Sequence, residues 1–219
     1  LRLPVVFLFL FIIFAGIFGT QVADKNIAPL LTWTIWWASL IFLILFLGKI
    51  WCLVCPWNAI AEWLQRLTFW ARKDTTISLN LPWPRRLRNI YMATGLFVGL
   101  TWLELGFGVT VSPFATAGLG LLILLLTVVP ALYFDRKPFC RYGCLIGRVS
   151  GLYSLFAPVE LRARDKDLCR TGCQTKDCVQ GNDRGYGCPT NQYLGTMDLN
   201  TYCILCSECV KTCPHDNVA

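Results

Sequence analysis

Charge is scarce in this chain. Only 15% of its 219 residues are Asp, Glu, Lys or Arg, while 55% are hydrophobic. Soluble domains carry about 25% charged residues, so an ordinary water-soluble fold for the whole chain is excluded. Histidine is scarcer still, with His215 the single example. Haem held across a membrane bundle by two imidazoles is therefore excluded, and Met92 is the only methionine in an apolar run, so no haem is expected. The chain also lacks a phosphate-cradling glycine loop and a dinucleotide fingerprint, which argues against a nicotinamide or flavin domain. No nucleic-acid partner is expected.

What is present is cysteine, twelve residues of it, together with long uncharged runs in the first 134 residues. A helix needs roughly 20 apolar residues to cross a bilayer. Four spans are expected, at about 3–20, 30–50, 88–106 and 114–134, the third borrowing Arg88 and Glu104 as flanks. The first run has one basic residue, Arg2, and no small-x-small cleavage pattern after it, so it reads as a retained span. Arg66, Arg72, Lys73, Arg85, Arg86 and Arg88 follow span two, and Arg136 and Lys137 follow span four. By the positive-inside rule both loops and both termini face the cytoplasm.

With the cysteine run Cys203-x2-Cys206-x2-Cys209-x3-Cys213-Pro214 of ferredoxin type near its end, the fold class expected is an α-helical membrane protein, with four transmembrane helices in two hairpins and a small cytoplasmic ferredoxin domain of the bacterial two-cluster type. The membrane domain is assigned to 1–157 and the ferredoxin-like domain to 158–219. The setting is a bacterial cytoplasmic (inner) membrane, with lipid around the spans. Because the sequence opens on Leu1 and stops just past a cysteine motif, further residues are expected beyond both ends.

The ferredoxin domain rests on "YCILCSECVKTCPHDNVA". Cys203, Cys206, Cys209 and Cys213-Pro214 follow the spacing C-x2-C-x2-C-x3-C-P. Three closely spaced thiolates wrap three corners of a [4Fe-4S] cube, and the cysteine before proline serves the other cluster of a pair. Zinc sites use two separated hairpins and do not need this uninterrupted run. Upstream stand Cys169, Cys173, Cys178 and Cys188-Pro189. The expected crossing puts Cys169, Cys173, Cys178 and Cys213 on one cluster, and Cys188, Cys203, Cys206 and Cys209 on the other.

Two more pairs lie where spans two and four emerge. Cys52 and Cys55 begin a stretch, 51–73, bearing Trp51, Trp57, Trp63 and Trp70. Trp57, Ile60, Leu64 and Leu67 share one helical face, and Glu62 precedes Arg66 by four, so a helix lying in the membrane interface is expected. Cys140 and Cys144 follow span four, and with the first pair they suggest a repeat of span, span and cysteine pair. On the reducing face structural disulfides do not persist. Three readings are open for these four thiols: a third iron–sulfur cluster, a dithiol–disulfide couple, or packed thiols. Gly143, Gly147 and Gly151 recur every four residues and, on a helix, make a stripe for close packing. Glu104 is an acid at the outer membrane edge, open to a role in taking quinol protons or to one as a hydrated interfacial carboxylate. His215 stands beside the ferredoxin run as a surface residue.

Hydrophobic hairpins ending in cysteine pairs, then "CRYGCLIG" and a ferredoxin run, resemble the membrane polyferredoxin family. Its members include the quinol-oxidising membrane subunit of periplasmic nitrate reduction, the membrane regulator of nitrous oxide respiration and the polyferredoxin assembly factor of cytochrome oxidases. The resemblance covers the chain from about Ile50 onward. The family's membrane pairs are typically C-x3-C-P, whereas here the first is Cys52-x2-Cys55-Pro56 and the second is followed by Leu145, which puts a common ligand geometry in doubt. The resemblance implies a membrane electron-transfer subunit of an oxidoreductase complex rather than a stand-alone enzyme. It would pass single electrons between a quinone pool or soluble donor and a partner redox complex. Two competing classes remain: a metal-reducing assembly factor for a respiratory oxidase, with transient copper at the thiol pairs, and a redox-sensing membrane regulator.

Overall fold

The computed structural model describes residues 2–68 and 76–219; Trp70, Arg72 and Lys73 of the expected interfacial stretch lie outside the described residues. Helix α1 (Arg2–Phe18) is followed by α2 (Ile27–Pro29), which continues through a wide π-type segment (Leu30–Trp36) into α3 (Trp37–Leu47). Asn26 caps this rod: its Oδ1 accepts from Ala28 N at 2.8 Å, while its amide reaches Ala15 O at 2.8 Å and ties the rod to α1. Gly48, at φ 60°, ends α3 in a conformation that side chains resist. Helices α6 (Tyr91–Phe107) and α7 (Pro113–Tyr133) form the second hairpin. Among the described residues, Ile27–Leu47 and Pro113–Tyr133, at 21 residues each, are long and apolar enough to cross a membrane, and α1 and α6 are shorter apolar helices. Helix α6 starts at Tyr91 because Asn89 Oδ1 accepts from Tyr91 N at 3.0 Å. Arg88 therefore lies outside it and donates twice to Trp83 O.

Helix α1 packs on α7, where Gly16 permits the approach: a Cβ there would stand 2.7 Å from Ala117 Cβ. Trp33 Nε1 donates to Thr116 Oγ1 and Trp57 Nε1 to Gly120 O, both at 3.0 Å, satisfying indoles that apolar surroundings would otherwise strand.

The expected interfacial helix is divided. Helix α4 (Ile50–Val54) stops at Cys55, and α5 (Pro56–Arg66) begins again with proline at its first position, where the missing N–H costs nothing. Leu67 adopts a left-handed conformation and ends α5. Leu64 and Leu67 point outward while Asn58, Ala59, Ala61 and Gln65 are buried against the rest of the molecule. The expected apolar face is therefore split: Trp57 packs inward on Phe9 and Trp36, while Leu64 and Leu67 face out. The glycine stripe is likewise corrected: Gly143 sits in a π-turn (Phe139–Gly143), and only Gly147 and Gly151 belong to α8 (Leu145–Tyr153).

The C-terminal segment is mostly turns around the buried cluster Cys169, Cys178, Leu194, Met197, Cys213 and Val218. Its elements are α9 (Asp177–Gln180), the hairpin β1 (Gly181–Asn182) and β2 (Gly185–Tyr186), and α10 (Glu208–Thr212). Arg162 and Ala219 exchange backbone hydrogen bonds at 2.8 and 2.9 Å, closing the segment's beginning onto its end.

Candidate metal centres

Eight cysteines of the C-terminal segment surround two small cavities. One is lined by Cys188, Cys203, Cys206 and Cys209, the other by Cys169, Cys173, Cys178 and Cys213 together with His215. The chain crosses between them, so each cavity takes three cysteines from one stretch and one cysteine preceding a proline from the other. Backbone and amide N–H groups point at the sulfurs. Gln192 N donates to Cys188 Sγ at 3.2 Å and Asn217 N to Cys213 Sγ at 3.4 Å, each four residues beyond its cysteine. Asn217 Nδ2 donates to Cys169 Sγ at 3.3 Å. Leu205 and Glu208 amides reach Cys203 and Cys206. Left-handed backbone at Leu205 and Ser207 turns the chain so that this is possible.

The third site joins the two membrane-edge pairs. Cys52, Cys140 and Cys144 lie close enough to Cys55 to add to the rise that burial gives its thiol, and Cys52 does the same to Cys140 and Cys144. Cys55 is the N-cap of α5, where burial pushes its thiol pKa up and the backbone amide of Asn58 pulls against that rise; Cys144 is the N-cap of α8 and accepts from Gly147 N at 3.3 Å. The second cysteine of each pair therefore stands at a helix N-terminus, with the amide three residues on acting on its sulfur. The first cysteines exchange contacts across the halves: Cys52 Sγ lies 4.0 Å from Ser150 Oγ and Cys140 Sγ 3.9 Å from Asn58 Oδ1. The one-residue difference in spacing is absorbed by the π-turn, closed by Cys144 N donating to Phe139 O at 2.7 Å. "LCRTGC" at 168–173 builds the same turn, with Cys173 N on Leu168 O at 2.9 Å.

These donors suit iron–sulfur clusters. Among the described residues no three His, Cys, Asp or Glu side chains converge as ligands of a single metal ion do. The eight C-terminal thiols instead ring two cavities, and thiols there and at Cys144 receive N–H bonds at sulfur, the arrangement that accompanies cluster ligation. Burial and then the neighbouring thiols push Cys144 and Cys209 up to about 12. Burial also raises Cys140, to about 11, against the opposing pull of Lys137. Four such thiols become thiolates together only when a cation compensates them.

The membrane-edge site and the nearer C-terminal site are bound to one another. Lys49, 3% exposed, donates from Nζ to Thr201 O at 2.8 Å and acts on Cys140, Cys144 and Cys203 alike. Lys137 N donates to Pro189 O at 3.1 Å, and its Nζ lies 2.6 Å from Glu62 Oε2. Glu62 also meets Arg2 at 2.9 Å. Burial raises the Glu62 carboxyl, but Lys137, Arg2 and Arg66 outweigh that and hold it at about 2. Arg141 reaches Thr190 O at 2.8 Å, just beyond Cys188.

On its other side the membrane-edge site borders an apolar cavity of about 330 Å³ between α6 and the rest of the bundle, whose lining includes Trp36, Trp51, Leu100, Glu104, Phe139 and Cys144. The Trp36 and Trp51 indole N–H groups are buried without a partner. Sequence reasoning missed Lys49, Asn58, Lys137 and Asn217. A signal was present for the lysines: each stands three residues before the first cysteine of its pair, in "KIWC" and "KPFC".

A family model described as a 4Fe-4S binding domain matches twice, at residues 29–78 and 116–160. Both matches fall on the repeat of span, cysteine pair and helix, so the membrane-edge pairs lie inside them. A curated relative, the "Methylamine utilization ferredoxin-type protein MauN" of Paracoccus denitrificans (strain Pd 1222), is 28% identical over 145 residues, 59% of this chain. Over these stretches the chain is similar to ferredoxin-type proteins with 4Fe-4S binding domains. The chain spans about half the length of that relative, 47%. No solved structure matches it.

Proposed function

We propose that the chain is a membrane-bound iron–sulfur electron-transfer subunit with three cluster sites in series. The observation that carries this is the row of three four-cysteine groups, beginning at an apolar cavity and ending beside His215 at the far edge. Bound at these sites, each [4Fe-4S] cluster would accept and release one electron. The chain's own residues do the rest. Cys52, Cys55, Cys140 and Cys144 hold the first site, Cys188, Cys203, Cys206 and Cys209 the second, and Cys169, Cys173, Cys178 and Cys213 the third. Amide donors at the sulfurs stabilise the added negative charge. Support for ligation at the membrane edge comes from both family matches and from the paired helix N-caps at Cys55 and Cys144.

All four apolar helices then cross the cytoplasmic membrane, with the C-terminal segment on the cytoplasmic side. The cavity suits a lipophilic ring that carries oxygen acceptors, the chemistry of a quinone. Trp36 and Trp51 supply the two N–H donors it needs, and Glu104 takes or returns a proton as a quinol gives up two electrons and two protons. The acceptor on the far side is a partner redox subunit.

The test is electron exchange with a quinone. Anaerobic protein in lipid nanodiscs, reduced with dithionite, should recover its visible cluster absorbance when a short-tailed ubiquinone analogue is added. Changing both Trp36 and Trp51 to Phe should slow that step at least tenfold. No exchange with the quinone couple in either direction overturns the quinone limb, and stoichiometric copper held by the four membrane-edge cysteines would favour the assembly-factor reading instead.

A further inference from the structure

The two halves of the membrane-edge site are repeats, yet they treat their lysines differently. Lys137 of the second half meets Glu62, which stands seven residues after Cys55 of the first half. The position seven residues after Cys144 is Gly151, and Lys49 lies beside it: a Cβ on Gly151 would be 3.5 Å from Lys49 Nζ. A carboxylate stands at this place in one half and none stands in the other. Nor can one be accommodated, because any Cβ at 151 would come within 2.4 Å of Thr201 O. Among the described residues Lys49 has no acidic partner, and its ammonium donates to the Thr201 carbonyl. A buried ammonium paired only with a carbonyl dipole is costly unless another negative charge lies near. The groups that face it from both sides are cysteine sites, with Cys140 and Cys144 below and Cys203 above.

We infer that Lys49 is a positioning residue whose counter-anion is the pair of clusters held by the membrane-edge cysteines and by Cys188, Cys203, Cys206 and Cys209. This rests on the reading that both sites hold clusters. A thiolate-ligated cluster gains a negative charge with each electron, and the Lys49 ammonium favours that charge on whichever neighbour bears it. It thereby draws the two potentials upward together and eases passage of an electron from one site to the other, with no bond made or broken. Glu62 offsets the corresponding charge of Lys137, so the effect belongs chiefly to one half of the repeat.

The experiment is a redox titration of the full chain in detergent, followed by electron paramagnetic resonance and paired with an iron count, for wild type, Lys49→Met, Lys49→Gln and Lys49→Arg. Lys49→Met should keep its iron and lower the potentials of two of the three clusters. The equilibrium for reducing each should move on the order of tenfold toward the oxidised form. Lys49→Arg should restore most of the shift. Unchanged potentials with iron retained overturn the inference. Should Lys49→Met lose iron, Lys49→Gln decides, since it keeps a donor for the Thr201 carbonyl without the charge. Iron loss in both neutral variants makes the lysine structural and also overturns the inference. A wild-type count of only about eight irons instead sinks the three-cluster reading on which it rests.

Discussion

In the first repeat two residues separate the cysteines, and α4 gives way to α5 at the second of them; in the second, three residues separate them and a π-turn takes up the extra one. The end points nevertheless correspond: Cys55 and Cys144 both stand at the N-cap of a helix, and the amide three residues ahead acts on each sulfur. Matching half-sites therefore need a matching cap, not a matching spacing. What differs between the halves is charge. Glu62 binds Lys137 across the pseudo-symmetric interface, while its counterpart Gly151 leaves Lys49 to a carbonyl.

The sharpest way to break this comparison is at Gly151. Replacing it with Val drives side-chain carbon into the Thr201 carbonyl, which is backbone and cannot swing away. A loss of more than about 3 kcal/mol is expected, with the C-terminal segment released from the membrane-edge site. Limited proteolysis of membranes should then cleave near 158–165 in the variant and leave wild type intact.

Next comes Glu62→Gln, which leaves Lys137 and Arg2 without their carboxylate. The Glu62 pKa falls from 4.5 to about 2 on folding, so its contribution is complete above about pH 4.5 and lost as pH drops through about 2. Its magnitude is about 3 kcal/mol. Thermal unfolding followed by circular dichroism at matched pH should show the variant less stable at pH 7, with the gap closing between about pH 4.5 and pH 2. A gap independent of pH would contradict the ion-pair account.

Arg141→Lys should cost less, about 1–2 kcal/mol, because the two carbonyls of Thr190 and Asn191 lose one planar donor that serves both. The effect should appear as faster loss of the cluster at Cys188 under oxygen, with the site at Cys169 unaffected. Gly143→Ala is the mildest. Its Cβ would meet the flexible end of Met92 at 2.6 Å and the buried Phe139 ring at 2.9 Å, so a loss of about 1 kcal/mol is expected. Met92→Ala in the same chain should recover part of it and leave the Phe139 contact.

The crossing of the C-terminal cysteines was expected from the ferredoxin spacing, in which the cysteine before proline serves the other cluster, and the two cavities are lined by those same two sets of four. The repeat was legible too, from spans that each end in a pair. Turn geometry was not. Nothing in the apolar periodicity of 51–73 says that Cys55 breaks the helix, since Pro56 at a first helical position and proline inside a longer helix look alike until the chain's path is known. The glycine stripe failed for the same reason, as a π-turn moves Gly143 off the helix that carries Gly147 and Gly151. Lys49 falls at the end of the second expected span and was missed. Only tertiary structure shows it buried, because its partner Thr201 lies far along the sequence.

The most direct test of the three-site account is iron and acid-labile sulfide per chain on anaerobically purified protein, wild type against Cys52 and Cys55 both changed to Ser. The account predicts about 12 irons in wild type and about 8 in the double variant, with the C-terminal clusters retained. About 8 in both would contradict it, leaving the membrane-edge cysteines as thiols and the electron path short of the membrane.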